Sequence, residues 1–226
     1  MIVLYGLLGF VLGAPLNALA DALPEHRRVS RPGYLTRGGS LRFRDAAVHV
    51  ATACVFAFLW TRYASEPAQL ILVSFYALVL LLVSVTDLEH KRIPDAAILP
   101  AIAIAALASP VRFGVGWPLE LLGGAVGFLF FYVAYRIGDR ALGSGALGFG
   151  DVKLGTFVGL ISSFPQVIVA LVVALLAGGA IGLLLLLTRR VTLRTAIPYG
   201  PYIAIGGFYA MVWGTETVLQ YAGQFS

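Results

Sequence analysis

Apolar residues run along this chain in long blocks free of charge, separated by short polar stretches. Ala68–Thr86 is 19 residues without a charged side chain, and Thr195–Thr215 is 21. About twenty apolar residues suffice to cross a ~30 Å bilayer core as a helix. Inside lipid the backbone must satisfy its own N–H and C=O groups, so each block is read as helical. Runs such as Leu183–Leu187 lack the alternating polarity that marks a membrane-spanning β-strand. The blocks predict eight segments: Ile2–Ala20, Ala46–Thr61, Ala68–Thr86, Ala96–Val111, Trp117–Tyr135, Asp151–Ser163, Pro165–Thr188 and Pro198–Leu219. Segments six and seven must be separate. As one helix, the 35 uncharged residues Leu154–Thr188 would form a rod of about 52 Å at 1.5 Å per residue. Ser162-Ser163-Phe164-Pro165 supplies the turn between them. The expected fold is all-α: a polytopic membrane helix bundle of about eight transmembrane segments, built as a single domain over 1–226.

Composition sharpens this picture. The chain is 59% hydrophobic and 12% charged, where soluble domains carry about 25% charged residues. Its longest polar stretch, Asp21–Asp45, leaves no room for a separate soluble domain. Basic residues concentrate in cytoplasmic loops of membrane proteins, and here they fall in alternate loops. Arg27, Arg28, Arg31, Arg37, Arg42 and Arg44 follow segment one, and Lys91 and Arg92 follow segment three. Arg136, Arg140 and Lys153 surround the link from five to six, and Arg189, Arg190 and Arg194 follow seven. Only Arg62 and Arg112 lie on the other side. The expected topology is N-out and C-out, so the +5 net charge reflects orientation in a lipid bilayer and does not imply nucleic-acid binding. The first segment has its arginines after the apolar run, the reverse of a signal peptide, and is expected to stay attached. Cys54, the single cysteine, has no disulfide partner and makes no zinc site by itself. Glycines spaced by four (Gly9/Gly13, Gly123/Gly127, Gly155/Gly159 and Gly178/Gly182) are expected to let helix backbones pack closely.

Most of the eleven acids have ordinary explanations. Asp21, Glu25, Asp45 and Asp139 lie in basic loops, and Glu66, Glu120 and Glu216 lie toward the outer boundary, where solvation or an arginine partner is expected. Two acids stand apart. Asp87 ends segment three in Thr86-Asp87-Leu88-Glu89-His90-Lys91-Arg92-Ile93-Pro94-Asp95, and Asp151 opens segment six in Gly148-Phe149-Gly150-Asp151-Val152-Lys153-Leu154. The topology puts both at the cytoplasmic membrane boundary, where they can meet. Ionisable groups at membrane depth are functional candidates by default, and two carboxyls sharing a site cannot both ionise readily. One, ionised, can take a proton from water while the other, protonated, polarises a peptide carbonyl. Gly148 and Gly150 permit close backbone approach. Lys153 is open to a direct catalytic role or to reaching for the interface, and Asp95 to orienting the pair or to solvation. Helix ends favour charge of one sign, which predicts Asp151 ionised at the start of its helix and Asp87 protonated at the end of its own.

Gly148-Phe149-Gly150-Asp151-Val152-Lys153-Leu154 resembles the GxGD motif of the prepilin peptidases, the type IV leader peptidases, and Asp87 through Ile93-Pro94-Asp95 resembles the other aspartate motif of that family. Ile197-Pro198-Tyr199-Gly200-Pro201-Tyr202 is similar to its Ile-Pro-Phe-Gly-Pro-Phe stretch, and Gly13-Ala14-Pro15-Leu16-Asn17 to its Gly-Ser-Phe-Leu-Asn motif. The resemblance implies an aspartic endopeptidase of the bacterial inner membrane, with Asp87 and Asp151 as the catalytic pair. Gly148, Gly150, Lys153, Pro94 and Asp95 would support them. The implied substrates are type IV prepilins or pseudopilins, cut after a glycine at the cytoplasmic face to remove a basic leader. Many such enzymes then methylate the new N-terminus with S-adenosylmethionine.

Departures from the family pattern lie outside the aspartates. Fuller members hold zinc with two Cys-x-x-Cys pairs in the first cytoplasmic loop, whereas the corresponding loop 21–45 here is short and has no cysteine. No zinc is expected, no cofactor is needed for proteolysis, and methylation is left open. Ala14 stands where the family has serine. Two other readings compete: an ion- or proton-coupled transporter, which would place its acids near the bilayer midplane, and a presenilin-like intramembrane protease, which leaves the Ile-Pro-Asp and Ile-Pro-Tyr-Gly-Pro stretches unexplained.

Overall fold

The computed structural model describes residues 1–24, 42–109, 116–142, 148–189 and 197–223. Eight α-helices make up the described residues: α1 (Ile2–Ala22), α2 (Phe43–Tyr63), α3 (Pro67–His90), α4 (Asp95–Ala108), α5 (Trp117–Leu142), α6 (Phe149–Ser162), α7 (Gln166–Leu187) and α8 (Gly200–Ala222). Five of them, α1, α2, α3, α5 and α7, are long and apolar enough to cross a membrane. Helices α4 and α6 have 14 residues each, about 21 Å at 1.5 Å per residue. The chain divides into two compact units, Met1–Thr86 and Asp87–Ser226. Most of loop 21–45 and the arginines at 27, 28, 31, 37, 112, 190 and 194 lie outside the described residues.

In the first unit α1 packs along α2 through glycines. A Cβ on Gly9 would press into Phe56 at 2.7 Å, and one on Gly13 would meet the backbone of His49 at 2.8 Å. The phenol of Tyr5 and the hydroxyl of Ser74 are hydrogen-bonded at 2.8 Å, joining α1 to α3. At the other end of α1, Arg44 donates to Asp21 and to Asp45, both at 2.8 Å. The Arg42 N–H donates to Asp45 at 3.2 Å, capping α2. Asp21 and Asp45 thus have the arginine partners expected of them.

The second unit is built around α6. Ten of its 14 residues are buried, and beyond Lys153 it is largely apolar on all sides, the signature of a helix enclosed by others. Helices α4, α5, α7 and α8 all pack on it. Toward α5 the approach is backbone to backbone: a Cβ on Gly159 would collide with the carbonyl of Gly123, and one on Gly127 with that of Gly155. Helix α8 uses a pair that four-residue spacing does not reveal, Gly206 against Ala170 of α7 and Gly207 against Val158 of α6. Gly178 and Gly182 depart from expectation. Gly178 faces the ring of Tyr199, and a Cβ on Gly182 would find only Ile197, at 4.0 Å. The α6–α7 turn forms at Ser163, whose φ of 64° reverses the chain. The Phe164 N–H then donates to the carbonyl of Leu119 at 2.9 Å. Neighbouring Glu120, expected at a solvated boundary, is 1% exposed.

Candidate active site

Asp87 belongs to the last turn of α3, which runs on to His90. The Lys91 N–H closes that turn on the Asp87 carbonyl at 2.9 Å. Lys91 itself turns left-handed, with φ of 51°, the conformation that commonly ends a helix. The chain then reverses through Ile93 and Pro94 into α4, whose first residue is Asp95. Pro94 is buried as the N-cap of α4, a place where a missing N–H costs nothing. Three of the predicted residues, Asp87, Pro94 and Asp95, therefore sit on one helix–turn–helix corner.

Asp151 lies in the first turn of α6, where N–H groups lack partners within the helix. Its carboxylate accepts the Gly148 N–H at 3.0 Å while its own N–H donates to the Gly148 carbonyl, also at 3.0 Å. The two glycines of this motif differ in purpose. A Cβ on Gly150 would meet Cβ of Ile93 at 3.0 Å, so Gly150 lets α6 approach the turn after Asp87. Gly148 has an ordinary extended conformation, and a Cβ there would make only a 3.6 Å contact with Asp151.

Asp87 and Asp151 are both buried, at 5% and 7% exposure, and near enough for the charge of Asp87 to act on Asp151. Asp87 also accepts a hydrogen bond that the sequence does not disclose: the Gly200 N–H donates to it at 2.8 Å from the first position of α8. Asp87 thus stands at the C-terminal end of α3 and also at the N-terminal end of α8. Both carboxyls face the start of a helix and each receives one backbone N–H, so helix ends do not assign the proton to either. No amide contact between residues so far apart in sequence can be read from side-chain types; the only signal was the Ile197–Tyr202 motif itself.

Lys153 is one turn-fragment beyond Asp151, and its ammonium forms an ion pair with Asp95 at 2.5 Å. The same ammonium lies 5.4 Å from the centre of the Phe149 ring. Lys153 and Asp95, considered separately in the sequence, are therefore one contact that ties the start of α4 to the start of α6. The arrangement supplies two buried carboxyls within electrostatic reach of one another, held at three helix ends. A tetracysteine zinc site does not fit this chain, since its one cysteine, Cys54, is exposed along α2.

Comparison with known proteins agrees with these motifs. The model of the type IV leader peptidase family matches residues 74–183, a span that includes both aspartates. A prepilin leader peptidase/N-methyltransferase of Bacillus subtilis is 32% identical over 187 residues, covering 81% of this chain and 72% of that protein. Proteins of the same description from Pseudomonas aeruginosa and Pseudomonas putida are 29% and 30% identical, over 84% and 76% of this chain and 69% and 60% of their own lengths. No solved structure matches significantly. With its several membrane-spanning helices, the chain belongs to the type IV leader peptidase family.

Proposed function

We propose that this chain is an endopeptidase that removes the basic leader of type IV prepilins or pseudopilins, cutting after a glycine at the cytoplasmic face of the inner membrane, with Asp87 and Asp151 as its catalytic pair. The observation that carries the reading is the burial of two aspartates from separate motifs within electrostatic reach of one another. A soluble or merely structural helix bundle has no use for such a pair, because burying carboxyls together is costly.

In the proposed reaction one carboxylate takes a proton from water as the oxygen attacks the scissile carbonyl carbon. The protonated partner donates a hydrogen bond to the carbonyl oxygen, which gains the negative charge. Collapse of the tetrahedral intermediate expels the amine of the new N-terminus, which takes up a proton from the pair. The carboxyls end with one proton between them, as they began, which is general acid–base catalysis with exchanged roles. Gly150 and the Lys153–Asp95 pair keep the start of α6 against the corner that holds Asp87. A prepilin would dock through its apolar helix in the bilayer, with anionic lipid holding its basic leader near the surface. That the whole chain works as one peptidase domain is part of the proposal.

The test is cleavage of a leader-bearing prepilin by purified protein in detergent, read by gel shift, with Asp87→Asn and Asp151→Asn beside the wild type. Both folded variants are expected to lose cleavage by about a hundredfold or more, as removal of a general acid or base costs 10²–10⁴. Wild-type rates in either variant would sink the assignment. The mass of the product decides separately whether N-methylation accompanies cleavage.

A further inference from the structure

Ile197-Pro198-Tyr199-Gly200-Pro201-Tyr202 is a motif that the aspartate pair alone leaves without a purpose. In the structure it is the entry to α8, with Tyr199 as N-cap, Gly200 as the first helical residue and Pro201 as the second. The first N–H groups of a helix have no partner within it. From the first helical residue on, that set is reduced to one: Pro201 has no N–H, while the N–H groups of Tyr202 and Ile203 both donate to the Tyr199 carbonyl, at 3.1 and 3.2 Å. The donor left over is Gly200, and it is aimed at the Asp87 carboxylate at 2.8 Å. Only glycine admits the carboxylate so closely, since a Cβ at 200 would lie 2.8 Å from the same oxygen and 3.0 Å from Cγ of Asp87.

The turn is itself held. The Tyr199 hydroxyl donates to the carbonyl of Ala174 on α7 at 3.2 Å. Its ring fills the space left by Gly178, where a Cβ would collide with it. Phe131 and Tyr202 flank the ring edge-on, with centroids 6.3 and 5.8 Å away. Asp151 is close enough for its charge to act on Tyr199.

We infer that the start of α8 is a positioning device for Asp87: the Gly200 amide fixes the carboxyl, and Tyr199, seated on α7 at Gly178, fixes the amide. The inference rests on the reading of Asp87 as catalytic. Gly200, Tyr199 and Gly178 are positioning residues; none needs to touch substrate.

Two adjacent glycines of α7 provide the test. A Cβ on Gly178 collides with Tyr199, whereas one on Gly179 finds no atom within 4 Å. In the prepilin assay Gly178→Ala and Gly200→Ala are expected to lower kcat about tenfold or more with KM within about twofold, the scale of a lost hydrogen bond to a charged group. Tyr199→Phe should lose less, and Gly179→Ala should match the wild type. Gly178→Ala leaves the Gly200–Asp87 pair chemically intact, so it carries the test if Gly200→Ala does not fold. A second readout needs no catalysis. In protein labelled with ¹⁵N-glycine, the Gly200 amide proton, assigned by its loss in Gly200→Ala, should resonate downfield and move upfield in Asp87→Ala. A Gly200 resonance indifferent to Asp87→Ala, or Gly178→Ala as active as Gly179→Ala, overturns the inference. Asp87→Asn cleaving at the wild-type rate would instead overturn the function proposed above, while the glycine resonance still reports whether the contact exists.

Discussion

Lys153 bears on catalysis without needing to touch the reacting atoms. Its ammonium is engaged by Asp95, and the pair is open to water, with Lys153 21% and Asp95 60% exposed at the side chain. An ion pair so exposed adds only about 0–1 kcal/mol to stability, so its effect belongs to geometry: it fixes where α6, and with it Asp151, begins. Lys153→Ala is expected to lower prepilin cleavage about tenfold, since a small misplacement of reacting groups is costly, with little change in thermal stability. Lys153→Arg should keep most activity, and the exchange Asp95→Lys with Lys153→Asp should recover part of what either single change loses. Equal inactivity of Lys153→Ala and Lys153→Arg would point to direct chemistry by the ammonium. At this scale the two aspartates were legible because their motifs are local. The partners that hold them were not, because a backbone N–H has no residue type and Lys153 and Asp95 lie on different helices.

Among the elements, the contact between α5 and α6 depends on missing side chains. Gly159 and Gly127 each abut a carbonyl of the opposite helix, so a methyl group there must push the helices apart. Overpacking of this kind costs about 1–3 kcal/mol. Gly159→Ala and Gly127→Ala are expected to lower the unfolding temperature in detergent by several degrees. Gly182→Ala, with 4.0 Å of clearance, should be neutral or slightly stabilising, as alanine is about 1 kcal/mol the better helix former. Equal thermal stability of all three variants would show that the close approach is not what joins α5 to α6. Helix number and order were legible from the charge-free blocks, but their ends less so. Helix α3 continues past Thr86 to His90, and α5 past Tyr135 to Leu142. Absence of charge marks the part of a helix that lipid can cover; the hydrogen-bonded ladder itself continues into polar surroundings. Spacing also misplaced the role of Gly178, because a four-residue interval cannot distinguish a helix backbone from an aromatic ring as the neighbour.

Across the whole molecule, the short helices raise the question of sidedness. Five helices are long and apolar enough to cross unaided, whereas α4 and α6 have 14 residues each. A helix enclosed by others, as α6 is, need not present a full lipid-matching length, since backbone at membrane depth is tolerated where protein surrounds it. The alternation of basic loops requires that α4 and α6 each take the chain from one side to the other. Three positions test this: Ser65 between α2 and α3, Gly116 before α5, and Thr188 after α7, all exposed. With Cys54 changed to serine, a cysteine at 65 or 116 should react with a membrane-impermeant maleimide added to spheroplasts, and a cysteine at 188 only after lysis. Protection at 116 would mean that α4 does not cross. Labelling at 188 with 116 also labelled would mean that α6 does not cross. In the first case the end of α3 and the start of α6 would lose their common membrane face, and Asp87 and Asp151 could not act together from the cytoplasm. In the second they would keep it, but the start of α8, whose Gly200 N–H binds Asp87, would move to the opposite face. The expected pattern, two positions outside and one inside, leaves both carboxyls at the face where a leader peptide is still attached to its prepilin.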